Sequence, residues 1–259
     1  MNRYISQLYS VEGKVFVIVG GAGYLCGTMA VAAARAGAVV VVLDKDQNKL
    51  NSMLSRLDRL SAKAMGLVFD ATLKNDHQGA LQKILKRFKK VDVLINGAGT
   101  NAPTPVLNIS FEEWHAIIDS HTTATLFGCQ VFGEQMLKQK KGSIINMSSA
   151  SANPGLSKAF TYSVAKAGIK NLTQNIAREW AARGVRVNAL RPGFFPSEWS
   201  MKNFITQQRE RAILGHTPMG RYGNPEELVG AVLWLASDAA SFVTGAEIAV
   251  DGGFSCMTI

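Results

Sequence analysis

The chain has 259 residues, 47% of them hydrophobic, and a formal net charge of +9. That length and apolar content suffice for one large α/β domain with its own core, residues 1–259. No apolar run reaches the length of a membrane span, and no signal-peptide pattern stands at the N-terminus. Cys26, Cys129 and Cys256 are widely spaced and the four histidines show no ligand spacing, so the sequence predicts a cytosolic protein without disulfides or a metal site.

Short apolar runs recur along the chain at residues 15–19, 38–43, 64–69, 91–95, 143–147, 185–190 and 247–250. Each lacks the polar alternation of a half-exposed strand, as expected for a parallel sheet covered on both faces. Between them lie amphipathic stretches of helical length, including 47–60, 76–89, 111–138, 160–183 and 225–237. Strands alternating with helices argue for βαβ units and a doubly wound, seven-stranded parallel sheet with helices on both faces. The basic run Lys83-Ile-Leu-Lys-Arg-Phe-Lys-Lys90 fits the solvated face and last turn of a helix, where the helix dipole favours cations. No nucleic-acid motif accompanies it, so the positive charge predicts no nucleic-acid partner and at most attraction of an anionic substrate.

The first strand runs into Gly20-Gly-Ala-Gly-Tyr-Leu-Cys-Gly27. A glycine-rich turn between strand and helix lets backbone amides approach a pyrophosphate at the helix N-terminus, with Gly20, Gly21, Gly23, Tyr24 and Leu25 in reach. Asp44 ends the second strand, where a carboxylate can accept from a ribose hydroxyl and repel a 2′-phosphate. NAD is therefore favoured over NADP, although Lys45 next to it could accommodate that phosphate.

Tyr162 and Lys166 are four residues apart, one turn of a predicted helix, and Ser149 stands thirteen residues before the tyrosine. An ammonium there is expected to favour the tyrosinate and lower the phenol pKa, giving an acid/base group for an alcohol/ketone couple. Taken alone, the Tyr-x-x-x-Lys pattern is weak and a surface tyrosine with an unrelated lysine reads as well.

Together these features resemble the short-chain dehydrogenase/reductase family almost end to end. The likeness extends to Asn96-Gly-Ala-Gly99, Arg191-Pro-Gly-Phe-Phe-Pro-Ser197, Pro218-Met-Gly-Arg-Tyr-Gly-Asn-Pro-Glu-Glu227 and Thr244-Gly-Ala-Glu-Ile-Ala-Val-Asp-Gly-Gly253. It implies a single NAD(P)-binding Rossmann domain, a homotetramer, and a lid at about 192–214 over the substrate. It places Asp70 and Ala71 against the adenine, Asn96, Gly97 and Ala98 along the cofactor, and Pro192, Gly193, Phe195 and Ser197 beside the nicotinamide. Asp70 and Asn96 have turn or cap roles as simpler readings. Tyr162 would transfer the proton, Lys166 would hold Tyr162 acidic and contact the ribose, and Ser149 would orient the carbonyl, a dipole worth about 2–4 kcal/mol. Asn101, Asn153, Lys158, Phe194, Trp199 and His216 are candidate substrate contacts, with Ser149 and Tyr162; Lys158 or Lys202 could hold a carboxylate.

Four positions depart from the family pattern. Val19, Tyr24 and Cys26 stand where a threonine and two glycines are usual, and Cys26 is small enough to keep the helix close to the strand. In Ile117-Ile-Asp-Ser-His-Thr-Thr123 the usual asparagine, associated with a proton relay to the lysine, is His121, which could keep the relay with added pH sensitivity. Within the family the chain most resembles sugar-acid oxidoreductases of the fructuronate reductase (D-mannonate oxidoreductase) type. Its alternatives are a gluconate 5-dehydrogenase-like or other polyol/ketone reductase, or a nucleotide-binding scaffold or sensor that has lost turnover. Phe127, Phe132 and Trp180 are expected in the core or at a subunit contact, and the apolar tail from Phe254 onward is expected to pack.

Overall fold

In the computed structural model, which describes residues 3–257, seven strands form one sheet. They are β1 (Val15–Val19), β2 (Val39–Asp44), β3 (Ala64–Val68), β4 (Val93–Asn96), β5 (Gly142–Met147), β6 (Val185–Pro192) and β7 (Glu247–Val250). Their order is β3-β2-β1-β4-β5-β6-β7, with every neighbouring pair parallel. The chain steps outward from β1 to β3, then returns to lay β4 on the other side of β1. That reversal opens a crevice at the carboxyl ends of β1 and β4, where ligands bind in sheets of this topology.

The strands stay central because their side chains serve two cores. Phe16 and Ile18 of β1 face one layer with Met29, Leu50 and Leu235, while Val15, Val17 and Val19 face the other with Ile84, Phe132 and Met136. β1, β4 and β5 are buried throughout, as the unbroken apolar runs predict. β3 and β7 are the edges and are only half-buried, so full coverage does not extend to them.

The helices in chain order are α1 (Arg3–Leu8), α2 (Tyr24–Arg35), α3 (Gln47–Asp58), α4 (Lys74–Phe88), α5 (Phe111–Ile118), α6 (Ala124–Gly128), α7 (Glu134–Gln139), α8 (Phe160–Trp180), α9 (Glu198–Phe204), α10 (Gln207–Gly215) and α11 (Val229–Ala236). Capping fixes several starts: Asp46 accepts from Asn48 and Lys49 amides at α3, Ser110 from Glu113 at α5, and Thr206 from Arg209 at α10. The basic run on α4 is solvated as expected, with Ile84 alone of Lys83–Arg87 fully buried.

The stretch read as one helix over 111–138 is interrupted by two π turns, Asp119–Thr123 and Cys129–Gly133. Each π turn admits one extra residue and rotates the following helical face. His121 lies in the first of them and turns inward, 4% exposed. Phe132 belongs to the core rather than to a surface, whereas Phe127 and Trp180 are half-buried. At the C-terminus Phe254 is buried against Phe194 and His216, with ring centroids 5.2 and 4.8 Å apart; Thr258 and Ile259 lie outside the described residues.

Candidate active site

A cavity of about 560 Å³ opens at the carboxyl edge of the sheet, above the β1/β4 reversal. The loop after β1 forms its floor. Gly20 has φ +72°, and a Cβ there would stand 2.9 Å from the Ala98 amide nitrogen, so the turn and the β4 loop close on each other only with glycine. Gly20 donates to the Leu43 carbonyl and Gly97 to the Val19 carbonyl, which fixes both loops to the strands. Gly23 begins α2 without any side-chain cap, leaving the first-turn amides of a twelve-residue helix directed to the cavity. This cradle of bare backbone suits a dinucleotide pyrophosphate. Cys26 confirms its packing role: its buried sulfur fills the space a Gly97 side chain would need, and burial pushes its thiol up to about 12.

Of the residues expected to hold a cofactor, Gly20, Gly23, Tyr24, Leu25, Gly97, Tyr162, Lys166, Pro192, Gly193 and Phe195 line the cavity. The others do not. Gly21 is turned onto the Ile18 carbonyl. Asp44 accepts from the Ala22 and Asp46 amides at 3.1 Å each, holding its carboxylate beside the glycine turn. Asp70 accepts from both the Thr72 hydroxyl and amide, which holds its carboxyl below the usual range; Ala71 presents its carbonyl to buried His77. Asp70 thus has the turn role, which can operate together with an adenine contact. Asn96 is buried and donates to Asn146 at 2.9 Å, so it braces β4 against β5 and does not face the cavity. Ala98 backs Gly20 from behind. Ser197 caps α9, accepting from the Ser200 amide at 3.2 Å, and it is Ser200 that reaches the cavity.

Ser149, Tyr162, Lys166 and His121 come together on one wall, delivered by the end of β5, the first turns of α8 and the π turn after α5. The Ser149 hydroxyl accepts from the Ser151 amide and hydroxyl, at 3.2 and 3.1 Å, and hydrogen-bonds the Tyr162 phenol. Lys166 is buried and donates to the Met147 carbonyl, with its ammonium 5.5 Å from the centre of the Tyr162 ring. Burial lowers its pKa to about 8.

The expected acidification of Tyr162 is not what this arrangement produces. Burial raises the phenol pKa, opposed by the Ser149 hydrogen bond, because the ammonium sits over the ring face and on a carbonyl rather than at the hydroxyl. Tyr162 is therefore a protonated phenol at neutral pH, able to donate a proton to an oxygen placed beside Ser149.

His121 also departs from expectation. Its Nε2 donates to the Thr100 carbonyl at 2.7 Å, and its ring meets the Tyr162 ring edge-on at 5.0 Å. Burial first, and the Lys166 charge second, lower its pKa to about 3, so it is neutral across the physiological range and adds no pH sensitivity there. Its Nδ1 is buried without a partner among the described residues. Gly99, at φ +151°, makes room for the ring: a Cβ there would fall within 2.4 Å of three ring atoms.

Asn101, Lys158, Phe194 and Trp199, expected as substrate contacts, line the cavity, joined by Leu156, Phe204 and Arg209. Asn153 is exposed and lies outside the cavity, His216 is engaged with Phe254, and Lys202 is exposed on α9; none of the three lines the site. α9 and α10 bring Trp199, Phe204 and Arg209 to the cavity wall, with the Trp199 and Phe204 rings 5.2 Å apart. Arg209 was not legible in the sequence, because nothing in Gln207-Gln-Arg-Glu-Arg211 distinguishes it from the solvated arginine two residues on. Ser151, which orients Ser149, carried no signal beyond its nearness in sequence.

The chain is similar to known proteins along almost its whole length. The profile of a family described as enoyl-(acyl carrier protein) reductase matches residues 25–255. The Bacillus subtilis (strain 168) protein named uncharacterized oxidoreductase UxuB is 36% identical, over 95% of this chain and 96% of its own. A crystal structure of a gluconate 5-dehydrogenase from Burkholderia cenocepacia J2315, in complex with NADP and tartrate, superimposes with a TM-score of 0.93 at 27% identity, covering 98% of this chain and 100% of that one. A protein from Haemophilus influenza, provisionally called a D-mannonate oxidoreductase and holding NAD, gives a TM-score of 0.90 at 30% identity, covering 98% and 99%. The chain belongs to the short-chain dehydrogenase/reductase family and is an oxidoreductase acting on CH–OH groups.

Proposed function

We propose that the protein interconverts a secondary hydroxyl and a ketone on a sugar acid, in the manner of the gluconate 5-dehydrogenases it resembles. One observation carries the substrate class. Lys158, Lys166 and Arg209 line the cavity, and among the described residues no aspartate or glutamate does. Lys166 is taken up by the Met147 carbonyl beside Tyr162, which leaves two cations for a substrate that brings its own negative charge.

In this reading the chain's own groups do the following. The amides at Gly20, Gly23 and the start of α2 hold the pyrophosphate, and Tyr24, Leu25, Pro192, Gly193 and Phe195 confine the rest of the nucleotide. When bound, the nicotinamide supplies or accepts the hydride. Ser149 donates to the substrate oxygen and fixes its position, Tyr162 delivers or removes the proton at that oxygen, and Lys166 places positive charge beneath the Tyr162 ring, where a developing phenolate is stabilised. Trp199 and Phe204 exclude water from the reacting carbon. Asp44 beside the glycine turn supports NAD over NADP, since a second anion there would face its carboxylate.

A second reading, reduction of fructuronate to D-mannonate, is supported by the likeness to the NAD-bound Haemophilus protein and needs the same residues. Large apolar side chains left on the surface at Leu107, Phe111 and Phe242 support the homotetramer that the family resemblance implies. The substrate proposal is tested by following NADH and NADPH oxidation with 5-keto-D-gluconate, D-fructuronate and neutral ketoses. Turnover confined to neutral ketones would remove the sugar-acid reading.

A further inference from the structure

The loop after β5 and α10 are tied together. Arg209, in the first turn of α10, donates through Nη1 to the Ser157 hydroxyl and through Nη2 to the Ser157 carbonyl, both at 2.8 Å. The next residue, Lys158, has φ +59°, a left-handed backbone that non-glycine residues adopt at a cost. Its carbonyl accepts from the Asn101 amide at 3.4 Å, so the 157–158 segment is held from the β4 loop on one side and from α10 on the other. Asn101, Lys158 and Arg209 all line the same cavity as Tyr162.

We propose that Arg209, positioned by Ser157, is the group that recognises the substrate carboxylate, with Lys158 as its second cation, and that this pair sets the preference for acid over neutral sugars. The inference rests on the sugar-acid reading above and names the residues that enforce it. A guanidinium has five N–H donors in a planar fork, and Ser157 occupies two of them. The remainder stay available to a carboxylate, in the geometry that arginine matches best. Arg209 is half-buried, and among the described residues no acidic side chain lines the cavity to neutralise it, so its charge is open to an anionic ligand. Lys158 is exposed at the rim, where it attracts an anion without being desolvated. The α10 N-cap reinforces the arrangement: Thr206 accepts from the Arg209 amide at 3.2 Å, fixing where the side chain departs.

The test compares wild type with Arg209→Gln, Arg209→Lys and Lys158→Gln, each assayed with 5-keto-D-gluconate and with a neutral ketose. Loss of one charge-assisted, partly buried contact predicts that Arg209→Gln raises KM for the acid about 10–100-fold, with a much smaller change in kcat. The acid-to-neutral ratio of kcat/KM falls by the same factor. Arg209→Lys restores part of it, which a purely structural role of the Ser157 tie would not produce, and Lys158→Gln lowers the ratio about 3–10-fold. A ratio within about 3-fold of wild type in both glutamine variants overturns the inference. Should Arg209→Gln fail to fold, Arg209→Lys and the exposed Lys158→Gln decide the matter on the same ratio. Wild type that shows no preference for the acid sinks the sugar-acid reading itself, a result separate from the loss of discrimination in the variants.

Discussion

Replacing Lys166 by methionine should make the protein more stable while abolishing turnover. Lys166 is 4% exposed, and burial lowers its pKa from 10.5 to about 8. The folded state therefore carries the ammonium at a cost: about 2.5 pH units at about 1.4 kcal/mol each gives a penalty of about 3 kcal/mol at pH 7. Methionine has similar length and no charge, and it forfeits one hydrogen bond to the Met147 carbonyl, worth about 1 kcal/mol. The net expectation is a gain of about 2 kcal/mol, or about 4–8 °C in Tm for a chain of this size. The pH dependence is the stronger signature. Between about pH 8 and 10.5 the folded wild type has released a proton that its unfolded chain still binds, so wild-type stability rises with pH relative to the variant. By pH 10 the charge penalty falls below about 1 kcal/mol and the two melting curves converge. Thermal or urea denaturation of both proteins at pH 7, 8, 9 and 10 reads this directly. A stability gap that stays constant over that range would refute the argument that burial of the ammonium is its cause.

His121 predicts an effect of the same sign on the acid side. Its neutral form is favoured by folding, with a folded pKa of about 3 against 6.5 unfolded, so its contribution is complete above about pH 6.5 and is lost as pH falls towards 3. The loss at pH 5 is about 2 kcal/mol, and urea midpoints at pH 7 and 5 should show it in wild type and not in His121→Asn. Gly99→Ala should cost about 1–3 kcal/mol or more, since its Cβ would overlap the His121 ring; combining it with His121→Ala should recover part of the loss in a melting experiment. Recovery of nothing would mean that the φ of +151° at Gly99, and not the ring, sets the cost.

The sheet was readable because β1, β4 and β5 are covered on both faces, and such strands must be continuous apolar runs. The same rule misled at β3, an edge whose apolar residues are half-exposed. Ser149, Tyr162 and Lys166 could be found because their spacing fits one helix turn and a strand end, and because the family resemblance along the whole chain singles out a spacing that is weak alone. What the sequence did not show depends on contacts between distant segments. The π turn that buries His121 leaves no mark in a helical pattern, and the carbonyl that engages Lys166 is backbone, invisible in a string of side chains. That the Ser197 hydroxyl caps α9, accepting from the Ser200 amide, follows from the fold of the 197–204 segment. Arg209 gains its place only when α10 folds over Ser157, 52 residues away in sequence.

The most direct test of the account is Tyr162→Phe, assayed for NADH-dependent reduction of 5-keto-D-gluconate alongside NADH binding by fluorescence. The phenol is the proton donor in this account, so the substitution should lower kcat about 10²–10⁴-fold while the affinity for NADH stays within a few-fold of wild type. Turnover that survives within about ten-fold would contradict it, because the proton would then have to come from a group other than Tyr162.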